Sequence, residues 1–266
     1  SILYRAFVLL MGFASCEKVN DPYEGIVKEE PDTNTTNPID TNQVDTTGDY
    51  DITYQSHKTL LVEEFTGLKC GNCPEGSDWI AAKSSSNDAE DFVFIAYHVG
   101  SLASPDASGK YALDLTNPQG EKFYTDEGTP PQPSAIFQRS GSALGFNGTG
   151  ATWDGFYNDL DASGYFEPAA AEALLGIGNS YSESNDVLTV VLGADVVVQP
   201  DSAYKVVGVI LESGIIGYQK DYSKRPPENY RENYEFKHVF RHVFTSSLKG
   251  DDFYDDTASR EEFITK

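Results

Sequence analysis

Hydrophobic and polar positions divide the chain into three parts. An apolar run covers residues 2–14, a mostly polar stretch rich in Asp, Glu, Thr, Asn and Pro covers 17–56, and dense apolar runs return from residue 57. A stretch as polar as 17–56 buries too little surface to offset the entropy cost of ordering it. We therefore predict an acidic, disordered tether over 17–56, followed by folded chain over 57–266.

The pattern between residues 57 and 165 predicts alternating strands and helices. Residues 58–65 are a strand candidate, 91–98 are a dense apolar run typical of a buried central strand, and 134–137 follow a proline as another strand. A helix is expected after Pro74, and a later one carries an apolar stripe at helical spacing, formed by Trp153, Phe156, Tyr157 and Leu160. This order predicts an α/β domain over 57–165.

From residue 166 onward the pattern is that of short strands separated by polar turns. The apolar runs lie at 173–178, 187–192 and 204–211. Such spacing predicts a β-sandwich-like domain over 166–266. Residues 262–266 have the pattern of the start of another strand, and the chain has no initiator Met, so we expect the sequence to be truncated at both ends.

The amino-acid composition and net charge argue against some classes of function. The chain has 266 residues and a formal net charge of −23, and apolar residue types make up 39% of it. This is enough apolar chain for a sizeable core. The acidic balance argues against nucleic-acid binding, because no basic patch is available to neutralise phosphates. It also argues against electrostatic docking on anionic lipid.

The N-terminal run has the form of an export signal. It contains Arg5 near its start, and its length of about 13 residues is shorter than the roughly 20 needed to span a bilayer. It ends in small residues before Cys16, as in a bacterial lipobox, although Phe13 stands where leucine is more usual. We predict a lipoprotein signal peptide over 1–16, with a lipid on Cys16 that anchors the protein to a membrane. The alternative is a buried N-terminal helix with an incidental cysteine.

Cys70 and Cys73 form a C-x-x-C motif between the first strand candidate and the helix expected after Pro74. At a helix N-terminus, unpaired N–H groups and the positive end of the helix dipole stabilise a thiolate. They lower the pKa of a cysteine from about 8.5 to about 3.5–7.5. We predict that Cys70 is the attacking thiol and Cys73 the resolving one.

Other uses of the motif stay open at this point. A zinc site needs two further ligands, and none of the four histidines is paired beside the cysteines; we expect neither a metal nor a cofactor. A permanently oxidised structural disulfide fits an oxidising compartment. Two unrelated free thiols are the last alternative.

Further positions favour a redox site. Pro133 precedes the strand candidate 134–137 and so resembles the proline that thioredoxin-like folds place opposite the C-x-x-C motif, usually with a cis bond. Such a cis proline would expose the backbone of Gln132 to a bound peptide; an ordinary turn is the alternative. Glu64 lies at the end of the first strand, at a position that resembles the one where thioredoxins carry a buried acid behind the disulfide. The resemblance implies a carboxylate that takes the proton of Cys73 during exchange; the alternative is that Glu64 or its neighbour Glu63 simply faces solvent. Lys69, next to Cys70, would favour the thiolate and contact the substrate.

At this point the chain resembles a known family. The blocks LLVEEFTGLKCGNCPEG and PPQPSAIF, the acidic tether and the lipobox resemble the bacterial "outer membrane protein twenty-eight" lipoprotein family over nearly the whole chain. The resemblance implies an outer-membrane location and a thioredoxin-like domain followed by a β-rich domain. Relative to thioredoxins, Lys69 replaces the tryptophan before the first cysteine, and an insertion over about 100–127 is suited to shape a partner-binding cleft.

These features predict a lipid-anchored outer-membrane protein that exchanges thiols and disulfides with envelope proteins. The redox direction stays open, because related pairs span roughly −270 to −120 mV. The rival hypothesis is a non-catalytic surface lipoprotein that binds or assembles other outer-membrane proteins. A shielded Cys70 favours the rival, and an exposed Cys70 facing Pro133 at a helix N-terminus favours exchange.

Overall fold

The protein has a mixed α/β fold. The computed structural model describes residues 6–10, 53–54, 57–86, 92–167, 171–182, 187–196, 205–252 and 260–265. The helices are α1 (Cys73–Ser84), α2 (Gly100–Ala103), α3 (Pro118–Asp126) and α4 (Ala151–Ala162). The strands are β1 (Ala6–Leu10), β2 (Thr53–Tyr54), β3 (Leu60–Thr66), β4 (Phe92–His98), β5 (Ser134–Phe137), β6 (Leu144–Gly145), β7 (Ala173–Ser182), β8 (Val187–Val196), β9 (Lys205–Glu212), β10 (Ile215–Lys220), β11 (Tyr230–Phe236), β12 (Val239–Val243), β13 (Asp251–Asp252) and β14 (Arg260–Thr265).

The central sheet has eight strands in the order β1-β9-β12-β4-β3-β5-β6, with β13 also paired to β9. β3 is parallel to β4 and antiparallel to β5. Every residue of β3 and β4 is buried, because packed side chains cover both faces of these strands. The strands predicted at 58–65, 91–98 and 134–137 are confirmed, as are those predicted in the second half.

Each face of the central sheet has its own core, because successive side chains on a strand point to opposite faces. On one face, α1 and α4 bury Trp153 and Tyr157, and the rings of Trp153 and Trp79 meet edge-on. This confirms the apolar stripe predicted for the later helix. On the other face, α3 packs Phe123 against Phe65.

The strands after residue 166 do not form a separate sandwich, which corrects the expectation from their spacing. β9, β12 and β13 add to the central sheet beside β4, whereas β14, β8, β7 and β2 form a second sheet and β10 and β11 form a hairpin. The physical reason lies in β4, which is apolar on both faces and needs a hydrogen-bonded neighbour on each edge. The amide of Ala96 donates to the carbonyl of His238 on that edge. The domain boundary at 165/166 stays a prediction.

Two short strands precede residue 57. β1 is parallel to β9 at the edge of the central sheet, and β2 is antiparallel to β7 in the second sheet. β1 falls within the predicted signal peptide and β2 within the predicted tether. The rest of both segments, including Cys16, lies outside the described residues. No helix in the described ranges is long and apolar enough to cross a membrane.

Candidate redox site

Cys70 lies in the connection between β3 and α1, and Cys73 directly follows this connection. We call the connection (residues 67–72) the redox loop. The two cysteines are joined by a disulfide, with Cα atoms 5.3 Å apart. Cys73 is the first residue of α1, Asn72 is its N-cap, and Pro74 occupies the first turn, where a missing N–H costs no helical hydrogen bond. The pair therefore lies at the positive end of a helix, as the strand–turn–helix order predicted.

Two glycines let the redox loop pack tightly. A Cβ on Gly67 would lie 2.6 Å from the carbonyl oxygen of Leu102, and one on Gly71 would lie 2.5 Å from the ring of Tyr222. Neither position has room for a side chain. The redox loop is thus enclosed between α2 and the chain that follows β10.

Glu64 is buried on the face of β3 that α1 covers, so the alternative of a solvent-facing Glu64 is wrong. Both carboxylate oxygens lie 3.4 Å from the hydroxyl of Ser77, which donates to them. Burial raises the pKa of Glu64 to about 8, against a smaller opposing effect of the Ser77 hydrogen bond. A Cβ on Gly76 would lie 3.1 Å from Oε1 of Glu64 and 3.5 Å from Cβ of Pro133. The carboxyl group and Pro133 therefore meet at the first turn of α1, the turn that begins with Cys73.

A cavity of about 270 Å³ extends from Glu64 between α1, the sheet and β11, and Ser77, His98, Gln219 and Tyr234 contribute to its lining. Burial lowers the pKa of His98 to about 3 and raises that of Tyr234 to about 12. Both side chains are therefore uncharged near neutral pH. Within the described part of the chain, Nδ1 of His98 is buried without a hydrogen-bond partner.

The predicted substrate-contact residues have different surroundings. The Gln132–Pro133 peptide bond is cis, as predicted. The side chain of Gln132 donates from Nε2 to the carbonyl of Val99 at 2.9 Å, which ties this turn to the end of β4. Lys69 is engaged elsewhere, because its Nζ pairs with Asp106 at 3.0 Å. Pro133 thus lies at the site, whereas the charge of Lys69 is already balanced.

Residues of the β10–β11 hairpin complete the site, and the sequence analysis missed them. Nε2 of the buried Gln219 donates to the carbonyl oxygens of Gly67 at 3.1 Å and Cys70 at 3.0 Å. The amide of Tyr222 donates to the carbonyl of Gly71 at 2.8 Å. Gln219 follows Cys70 by 149 positions, so no motif spacing connects the two.

The disulfide is shielded in this arrangement. Cys70 is 3% exposed and Cys73 is 1% exposed, whereas Tyr222 beside them is 57% exposed. Shielding of Cys70 is the feature that we associated with the non-catalytic rival. The helix N-terminus, the buried Glu64 and Pro133 are the features that we associated with exchange.

Among the residues described, no group of three or more His, Cys, Asp or Glu side chains is arranged to hold a metal ion.

Comparison with known proteins adds a likeness in fold. No protein-family model matches the chain, and a search of curated proteins finds no match. Among solved structures, the chain is similar to HBP35 of Porphyromonas gingivalis, with a TM-score of 0.57 and 17% sequence identity. The similarity covers 79% of this chain and 63% of the HBP35 chain, so the chain spans less than two thirds of that protein's length. At this identity the likeness concerns the fold alone.

Proposed function

We propose that the protein carries out thiol–disulfide exchange through Cys70 and Cys73. The observation that carries the proposal is the meeting of three groups at the start of α1: a C-x-x-C disulfide, the buried Glu64 and Pro133. A disulfide that only staples a loop needs no buried acid beside it. A buried carboxyl without a charged partner is costly in free energy, and such groups cluster at functional sites.

The elements around the site support a thioredoxin-like arrangement as part of this proposal. β3 lies between parallel β4 and antiparallel β5, β6 follows β5 on the edge, and α1 and α4 cover one face. The order of β3, α1, β4, β5 and α4 along the chain is the one expected from the sequence. The proposal extends to membership of the "outer membrane protein twenty-eight" lipoprotein family. It then includes a lipid anchor on Cys16, an outer-membrane location and envelope proteins as partners.

The chemistry has two steps that balance in atoms and electrons. In the reduced protein, the Cys70 thiolate attacks a partner disulfide; a Cys70–partner S–S bond forms, the partner S–S bond breaks, and the leaving thiolate takes a proton from water. The ionised form of Glu64 then accepts the proton of Cys73, whose sulfur attacks the sulfur of Cys70 and releases the second partner thiolate. Two electrons pass to the partner and the protein is left with its disulfide. The reverse sequence oxidises a partner dithiol.

The raised pKa suits Glu64 to this proton transfer. A carboxylate with the ordinary value of 4.5 is a weak base toward a thiol, whereas one with a pKa of about 8 is matched to it. In this proposal Glu64, which lies beside the first turn of α1, takes the proton of Cys73, the residue that begins that turn, and Cys70 is the thiol that meets the partner.

The test is the reduction potential of the pair in the full chain carrying Cys16→Ser, measured by equilibration in glutathione buffers. A potential between roughly −270 and −120 mV supports exchange. Turnover of a model protein disulfide, such as that of insulin, should then be lost in Cys70→Ser. Cys73→Ser is the matched variant: it keeps the attacking thiol, lacks the resolving one, and should accumulate a mixed disulfide with the partner.

A non-catalytic binding or assembly module is the second candidate, and the 3% exposure of Cys70 favours it. Exchange requires access to the sulfur that is attacked. A potential below about −300 mV would mark a structural disulfide. Together with no turnover of a protein disulfide, that result would reject exchange in favour of the binding module.

A further inference from the structure

Residues 219–231, which connect β10 to β11 and include the facing ends of both strands, lie across the redox loop. We call them the cover segment. The amide of Lys220 donates to the carbonyl of Leu68 at 2.8 Å, and the amide of Tyr222 donates to the carbonyl of Gly71 at 2.8 Å. With the two bonds from Gln219 described above, the cover segment binds four carbonyl groups of the redox loop, those of residues 67, 68, 70 and 71.

The ring of Tyr222 lies against the residue that follows Cys70. Three of its ring carbons are 2.5–2.6 Å from the position that a Cβ on Gly71 would take. Nζ of Lys220 lies 5.0 Å from the centre of the ring, a distance typical of a cation–π contact. The side of Gly71 that faces the cover segment is therefore closed by an aromatic ring.

The guanidinium of Arg231 links the cover segment to α1 through ion pairs. Nη1 and Nη2 of Arg231 donate to the two carboxylate oxygens of Asp78 at 2.8 and 2.7 Å, and Nε donates to Asp221 at 2.7 Å. Asp78 lies in the second turn of α1, after Cys73. Bidentate bonds between a guanidinium and a carboxylate are short and directional. One side chain thus links the cover segment to the helix that begins with the resolving cysteine.

We propose that Tyr222 and Arg231 determine which thiols reach Cys70. The cover segment closes one side of the redox loop, and a partner reaches the sulfur when the segment is displaced. Its contacts are hydrogen bonds from backbone amides and from the buried Gln219, one ring, and the Arg231 side chain, which pairs with the exposed Asp78 and the buried Asp221. Tyr222 and the Arg231–Asp78 pair form the exposed part of this set, and exposed contacts of this kind open locally without global unfolding. The selection of partners rests on the proposed exchange function, whereas the barrier itself acts on any thiol that attacks the disulfide.

The experiment measures how fast the oxidised full chain, carrying Cys16→Ser, is reduced by excess dithiothreitol, with new thiols trapped by alkylation and counted by mass spectrometry. We expect Tyr222→Ala to raise the rate about tenfold or more, since a tenfold change corresponds to about 1.4 kcal/mol of barrier. Tyr222→Phe keeps the ring and should be reduced at the wild-type rate. The matched control is Tyr181→Ala on β7, because Tyr181 and Tyr222 are similarly exposed, at 58% and 57%.

Arg231→Gln provides a second measurement, independent of the ring. Added salt weakens a partly exposed ion pair. It should therefore speed the reduction of the wild type, and Arg231→Gln should already be faster and respond less to salt. Circular dichroism establishes that each variant is folded; if Tyr222→Ala is not, Arg231→Gln and the salt series decide.

The proposal is overturned by a wild-type rate in Tyr222→Ala and Arg231→Gln, or by an equal acceleration in Tyr181→Ala. A reduction potential in the structural range would end the proposed exchange function. The rates with dithiothreitol would still report on the cover segment, so the two failures are distinguishable.

Discussion

Glu63 and Glu64 are neighbours on β3 that enter opposite faces of the central sheet and meet different surroundings. Both are buried, at 0% and 1% exposure. Glu63 accepts bonds of 2.8 and 2.7 Å from the guanidinium of Arg139 and one of 2.9 Å from the hydroxyl of Tyr97. Glu64 has the hydroxyl of Ser77 at 3.4 Å and no ion-pair partner among the described residues.

The difference separates a structural carboxylate from one suited to chemistry. A buried carboxylate that is paired and hydrogen-bonded on both oxygens is stable as an anion. Arg139 also donates to the carbonyl of Leu248, so the Glu63 cluster ties the C-terminal part of the chain to the sheet. Glu64 has no charged partner of this kind among the described residues, and burial raises its pKa to about 8. The face that lacks the counter-charge is the face that carries the disulfide.

The largest expected effect comes from removing the counter-charge of Glu63. In Arg139→Met the carboxylate stays buried without its partner, and we expect a loss of about 3–5 kcal/mol in the free energy of unfolding. Urea unfolding of the oxidised protein, followed by circular dichroism at neutral pH, measures it. The double variant Glu63→Gln with Arg139→Met buries no charge and should recover most of the loss. A loss below about 1 kcal/mol, as for an exposed pair, would contradict the structural role of Glu63.

A smaller, pH-dependent effect is expected from Glu64→Gln. The folded protein holds the Glu64 proton up to about pH 8, whereas the unfolded chain releases it near 4.5. The stabilisation linked to this proton is therefore complete below pH 4.5 and is lost as the pH rises through 8. We expect Glu64→Gln to match the wild type near pH 5 and to be more stable by roughly 3 kcal/mol near pH 9.

Urea unfolding across this pH range tests the Glu64 prediction, and Ser77→Ala sharpens it. The Ser77 hydroxyl lowers the pKa of Glu64, so its removal should move the pH dependence of the wild type to higher pH. Parallel stability curves for the wild type and Glu64→Gln would show that Glu64 titrates alike in the folded and unfolded chains.

The smallest effect is expected from Lys69→Ala. Lys69 and Asp106 form an ion pair of 3.0 Å in which the side chains are 26% and 47% exposed. Removing such a pair should cost less than about 1 kcal/mol in urea unfolding. The rate of reduction by dithiothreitol should also stay near that of the wild type, because Asp106 balances the charge of Lys69 beside Cys70. A loss of unfolding free energy as large as that of Arg139→Met would contradict this prediction, because it would show that the Lys69–Asp106 pair stabilises the fold as strongly as the Glu63–Arg139 pair.

The sequence predicted the elements whose causes are local. The apolar run of β4, the stripe of α4 and the helix that begins beside the cysteines each depend on residues within one element or turn. The cis bond before β5 is instead an expectation from the resemblance to thioredoxin-like folds. Alternation along β3 also implies that Glu63 and Glu64 lie on opposite faces. It does not indicate which face receives a counter-charge, since Arg139 lies 76 positions from Glu63.

Tertiary structure alone decided how the distant parts of the chain combine. The spacing of the later strands predicted a sandwich, but hydrogen bonding at the open edge of β4 recruits β12 and, through it, β9 into the central sheet. In the same way, Gln219 meets the carbonyl of Cys70 across 149 positions. Periodicity and motif spacing indicate local geometry only. Contacts between distant segments depend on which apolar surfaces pack together and which unpaired backbone groups form hydrogen bonds when the chain folds. The sequence by itself thus determined the Cys70–Cys73 pair and the helix that begins with Cys73, and the fold determined the surroundings of Glu64 and the segment that lies across the redox loop.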